Sequence, residues 1–150
     1  MVRVARGVAA PAAAARAAAP LADPAVPVAT IAASGGPVTV GIVFGQAQHA
    51  KYTIQLFDPT GATELTRQAG INTDSVPDRF TLQAAPAALD QTILQWSGLI
   101  SAFSPAPGQM FSVTFEVTQG GVAVPGGRVP RTGALNVTQP FIGVLRLVMR

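Results

Sequence analysis

At 150 residues the chain has the length of one ordinary domain, so one core is expected rather than separate cofactor and substrate domains. Ten Lys and Arg against seven Asp and Glu give a net charge of +3, and charged residues make up 11% of the chain, against roughly 25% in an average soluble domain. The absence of cysteine excludes a disulfide framework and a thiolate zinc site, while one histidine and seven acidic residues leave few general acids or bases. The basic residues are dispersed: Arg3, Arg6 and Arg16 lie near the start, Arg128, Arg131, Arg146 and Arg150 near the end, and the middle is acidic. A nucleic-acid surface clusters its cations with aromatic residues between them, so nucleic acid is not the partner expected here.

Residues 1–36 form a low-complexity Ala/Pro arm and residues 37–150 the expected domain. Fifteen alanines fall in the first 33 residues, and an alanine methyl buries little area. Pro11 and Arg16 interrupt what would be the apolar stretch of a secretory signal, and prolines recurring at 20, 24 and 27 exclude a membrane-spanning helix there. The composition suits an arm, with helical turns over Ala10–Ala19 and an extended run from Pro20 to Pro27. Ser34, Gly35, Gly36 and Pro37 break the chain, and the period then changes to two.

Residues 38–44 and 51–57 read as strands joined by a hairpin loop, GQAQHA. Asp58-Pro59-Thr60-Gly61 spells a turn, with Pro fixing φ at the second position and Gly closing the fourth. Residues 62–68 follow as a short polar strand or bend, then a loop to Asp78, then a strand RFTLQ over 79–83. A helical turn is expected at Pro86–Leu89, and a strand over 91–102 carries Trp96 into the core. Residues 110–118 alternate most cleanly, with Phe111, Val113, Phe115 and Val117 on one face. Gly120 and Gly121 turn the chain, residues 124–133 read as an irregular connection, 134–138 as a short strand, and FIGVLRLVM as a last strand apolar on both faces. About eight short strands spaced by Gly and Pro turns predict an all-β fold, an antiparallel β-sandwich of Ig-like or jelly-roll type with an extended N-terminal arm.

Candidate chemistry is thin. His49 lies in a predicted loop, and no G-x-S-x-G element accompanies it. Asn72, Asp74 and Asp78 form an oxygen-rich loop that is a candidate Ca²⁺ site, although the EF-hand's Gly and distal Glu are missing. The alternative reading is a loop capped by its own side chains. Asp74 and Asp78 as a glycosidase pair would need a cleft that nothing in the sequence supplies. Asn136-Val137-Thr138 is a glycosylation sequon, and Trp96 and Tyr52 are better spent in the core than on a sugar platform.

No catalytic residue, cofactor or enzymatic activity is therefore expected. Scarce charge, the arm and the apolar last strand point instead to a structural subunit that self-assembles into a filament, shell or surface layer, at the cell surface or in a virion. Its contacts would be the arm and the C-terminal strand, with Val26, Val28, Ile31, Ile142, Val144, Arg146 and Val148 at the interface between copies. The second reading is a monomeric extracellular binding module, adhesin-like or carbohydrate- or Ca²⁺-binding, that uses the Asn72–Asp78 loop.

Overall fold

The computed structural model of the chain describes residues 25–45, 48–104, 106–135 and 137–150. The expected arm before residue 25, with its helical and extended stretches, lies outside the described residues, as does Asn136 of the sequon. Nine strands, β1 (Val28–Ile31), β2 (Val38–Phe44), β3 (Gln48–Phe57), β4 (Glu64–Asn72), β5 (Asp78–Thr81), β6 (Ile93–Ala102), β7 (Met110–Gln119), β8 (Val122–Ala134) and β9 (Thr138–Met149), and one 3₁₀ turn at Pro86–Leu89 make up an all-β fold. They form two sheets, one of five strands in the order β1-β9-β6-β3-β4 and one of four in the order β5-β2-β7-β8. All pairings are antiparallel except that of β1 with β9, which run parallel with Val28 beside Arg146 and Ile31 beside Met149.

Alternation builds the core between the sheets. Ile54, Leu56, Leu94, Trp96, Leu145 and Leu147 come from the five-stranded sheet; Val40, Ile42, Phe44, Val113, Phe115 and Val117 come from the other. Trp96 is fully buried and stacks on Phe115, with ring centroids 4.9 Å apart and an interplanar angle of 22°. Its indole N–H meets no acceptor among the described residues, so the stack and the burial must outweigh that loss. Phe115 also lies 6.2 Å from Phe141, and its ring occupies the space a side chain at Gly143 would need.

The turns follow their residues. Asp58 accepts backbone hydrogen bonds from Gly61 at 2.9 Å through its carbonyl, and from Ala62 at 3.0 Å through its carboxylate; Gly61 supplies the positive φ of 75°. Gly120 and Gly121 have φ of 56° and 82°, the pair of positive values a two-residue hairpin turn between β7 and β8 requires.

Four expectations are corrected. GQAQHA is no hairpin loop: β2 and β3 lie in different sheets, and β3 begins at Gln48, so His49 is a strand residue, half buried, with its ring 5.0 Å from that of Phe103. The strand after the 58–61 turn runs to Asn72 rather than to 68. Residues 124–133 are no irregular connection but the body of β8, because an edge strand tolerates Pro125 and Pro130, whose missing N–H groups need no second neighbour. The short strand at 134–138 is absent, since β8 ends at Ala134 and β9 begins at Thr138.

Val28–Ile31 belongs to the sandwich as β1. Ala29 and Ile31 are buried, and β1 lies against β8 as well as β9, so it closes the seam between the sheets. Gln119 fastens the connection to β2: its side-chain amide donates to the carbonyls of Ala32 (2.6 Å) and Gly36 (3.1 Å), and its side-chain carbonyl accepts from Ala32 N–H at 2.8 Å.

Candidate functional site

The oxygen-rich loop is occupied with itself. Asn72 ends β4 and Asp78 starts β5, so the loop between them joins the two sheets at one edge. Asp78 Oδ2 accepts from the Tyr52 hydroxyl at 2.5 Å and from Asn72 Nδ2 at 3.3 Å. Asn72 Oδ1 accepts from Asp74 N–H at 3.2 Å, and Asp74 Oδ1 accepts from Val76 N–H at 2.9 Å. The last two are Asx-type closures, so Asn72 Oδ1, Asp74 Oδ1 and Asp78 Oδ2 already accept hydrogen bonds from within the fold. Burial pushes the Tyr52 hydroxyl well above the ordinary tyrosine value, and the hydrogen bond to Asp78 and that carboxylate's charge push the same way. Gly70 makes the arrangement possible, because a side chain there would collide with the Tyr52 hydroxyl.

His49 comes opposite Ser101 on β6, yet the Ser101 hydroxyl is hydrogen-bonded to Thr138 Oγ1 at 2.8 Å. The small cavity of about 220 Å³ that His49 shares with Lys51, Leu99, Ser101 and Thr138 has no carboxylate in its lining. Among the described residues lining it, His49 therefore has no carboxylate to orient it toward Ser101.

What the fold does present is the outer face of the five-stranded sheet. Thr53 on β3 is flanked in register by Ala69 on β4 and Ser97 on β6, and the next row sets Lys51 between Ile71 and Leu99. Three short side chains beside a row of long ones leave a shallow groove of about 550 Å³ over the middle of the sheet. Across β9 the face continues with Ile142 opposite Ser97 and Val144 opposite Gln95. Ile71 is 65% exposed, Ile142 58% and Leu99 52%, so large apolar side chains stand in water on a face with little charge. Its ion pair is local: Arg67 Nη2 lies 2.8 Å from Glu64 Oε2, and Arg67 with Gln55 holds the Glu64 carboxyl down to about 2.

The edges of the sheets differ in protection. β1 and β5 are four residues each, and β8 carries two prolines. β4 is nine residues long, contains no proline, and is exposed from Glu64 to Ala69 on both faces. Its protective devices are the exposed charges of Glu64 and Arg67 and an irregularity opposite Leu56 and Phe57, at Leu65.

The residues placed at an interface between copies by sequence reasoning divide into three groups. Ile31 is 1% exposed in the core of its own sandwich, and Arg146 donates to the carbonyls of Gln91 (2.8 Å) and Pro59 (3.3 Å), tying two loops to β9. Val28 and Ile142 stand exposed, and Val26, Ile142 and Val144 line a groove of about 430 Å³ with Ala25, Pro27 and Arg131, where the chain enters the fold. Val148 is half buried next to Thr30 in the β1 pairing. Sequence reasoning missed the β4 edge, whose polar composition hid a full-length strand. No protein-family model, curated protein or solved structure matches the chain.

Proposed function

We propose that the chain is a structural subunit that self-associates, as in a filament, shell or surface layer, through sheet edges and the N-terminal arm. The observation that carries this reading is the β4 edge, a nine-residue strand without proline that has no strand on its outer side among the described residues and is continuous with a sheet face that exposes Ile71, Leu99 and Ile142. Unpaired backbone donors and acceptors along such an edge are a template for another strand, and natural monomers usually blunt them. The groove of about 430 Å³ at Ala25–Pro27 supports a role for the arm, since Ala25, the first described residue, lines it beside exposed Ile142. We read the sandwich as Ig-like in its five-stranded sheet, supported by the parallel pairing of the first strand with the last. The β7–β8 hairpin between β6 and β9 is a departure from that pattern.

The test is the mass in solution of the full chain and of a chain beginning at Ala25, by light scattering on size-separated protein. The cut belongs before Ala25 because β1 is part of the sandwich. Assemblies of the full chain that shrink in the shorter one support the reading; two equal monomers refute it. The second reading, a monomeric binding module, draws on the groove over Thr53 and is favoured by that second outcome.

A further inference from the structure

We propose that β4 pairs with β4 of a second copy, antiparallel about a two-fold axis through the two Gln68 residues, so that two five-stranded sheets join into one. This rests on the reading of the chain as self-associating, and it names the edge, the register and the symmetry.

The choice of edge follows from the comparison of all four. β1 and β5 offer four residues each, and β8 has Pro125 and Pro130 and is partly covered by β1. Among the described residues, β4 alone offers nine proline-free residues with no strand beside it on one side. The partner is a second copy because β4 is complementary to itself. With Gln68 opposite Gln68, Leu65 faces Ile71, Thr66 faces Gly70, Arg67 faces Ala69 and Glu64 faces Asn72. Thr66 to Gly70 then form a regular self-paired ladder, and Leu65, at the bulge, comes beside Ile71 at each end of it. Leu65 and Ile71, 51% and 65% exposed in the single chain, cover one another on both sides of the axis.

Neighbouring registers are worse. Centring the axis on Arg67 sets Arg67 against Arg67, and like charges directly opposite destabilise a strand pair. Centring it on Ala69 leaves Leu65 without a partner. Axes between residues put Ile71 opposite Glu64 or Thr66. The Gln68 register also spares the local chemistry: the Arg67–Glu64 pair stays within each strand, and the Tyr52 hydroxyl under Gly70 is undisturbed. A two-fold axis perpendicular to the sheet keeps both outer faces on one side, so the row of Leu99, Lys51 and Ile71 in each copy runs on into the partner's β4. Such an isologous contact closes on itself and yields a dimer; any larger assembly needs a second contact, for which the arm is the available segment.

The absence of cysteine makes the test clean. Gln68→Cys in the full chain places one thiol at the axis, where Cα atoms of facing residues lie about 4.5–5.5 Å apart, within disulfide range. Under mild oxidation this variant should form linked dimers about tenfold faster or more than Ala88→Cys, whose thiol stands on the exposed 3₁₀ turn. A mixture of Arg67→Cys and Ala69→Cys should link faster than either alone. Light scattering on the same proteins separates the failures. Assembly without preferential linking at position 68 overturns the β4 pairing and leaves self-association standing. Faster linking of Arg67→Cys alone overturns the register. A monomeric chain that does not link overturns both.

Discussion

Gly143→Ala tests whether the core is as tightly set as the aromatic stack implies. Gly143 lies on the inner side of β9, beside Trp96 in register, and an added Cβ would collide with the edge of the Phe115 ring, the least close of three ring atoms being Cζ at 2.8 Å. Ordinary contact begins near 3.4 Å, so the ring has to move. It is held by Trp96 on one side at 4.9 Å and Phe141 on the other at 6.2 Å. Overpacking a filled core costs about 1–3 kcal/mol, and a ring driven out of its stack forfeits a further ~0.5–1.5 kcal/mol. The sum, about 3 kcal/mol, lowers the thermal midpoint of a domain this size by about 10 °C. Urea unfolding followed by fluorescence of the single tryptophan measures it. Gly41→Ala is the control, because its Cβ would meet nothing closer than 3.4 Å. Trimming the ring should relieve the clash, so Phe115→Leu combined with Gly143→Ala should be less destabilised than the two single changes added together. A Gly143→Ala protein within about 0.5 kcal/mol of the parent, or a double variant that is merely additive, refutes the reasoning.

Three further outcomes follow from the same contacts. Tyr52 is the only tyrosine, and its hydroxyl is held above the ordinary value by burial and by Asp78. Its contribution to stability is therefore complete below about pH 10 and lost as pH rises further, so phenolate absorbance should appear only with unfolding. A phenolate that forms in the folded protein at about pH 10 contradicts the burial. Glu64 has the opposite sign: held down to about 2 by Arg67 and Gln55, it contributes stability above its ordinary value of 4.5, and that contribution disappears as pH falls through about 2. Glu64→Gln should flatten the acid limb of stability between these values; an unchanged limb means the Arg67 pair is idle in solution. Gln119→Ala removes three hydrogen bonds to Ala32 and Gly36 and should cost about 2 kcal/mol. Amide exchange at Val28–Ile31 should rise with it, and unchanged protection there means β1 is held by burial alone.

The parts of the fold that were legible in sequence are those whose burial is one-sided. β7 shows Val113, Phe115 and Val117 at every second position, and the structure buries all three. The Asp58–Gly61 turn was legible because each of its residues has a separate conformational reason to be there. β8 was not, since Pro125, Gly126, Gly127 and Pro130 are breakers in a central strand and harmless at an edge, and nothing local distinguishes the two. β1 was hidden in the arm: Ala29 and Ile31 alternate inward over only four residues, and the partner strand β9 lies more than a hundred residues away. The loop oxygens of Asn72, Asp74 and Asp78 were visible as a cluster, but their engagement depends on Tyr52 arriving from β3 beneath Gly70, a coincidence of three strands. Of β4 only the stretch to residue 68 was legible; its run on to Asn72 and its place at the edge escaped because exposure on both faces removes the alternation by which a strand is recognised.

Self-association is the central claim, and the mass of the chain in solution is its most direct measure. Light scattering across a dilution series should show the full chain in assemblies larger than a dimer and the chain beginning at Ala25 as a dimer, both dissociating on dilution without loss of β structure. A full chain that remains a folded monomer at the highest concentration would contradict it.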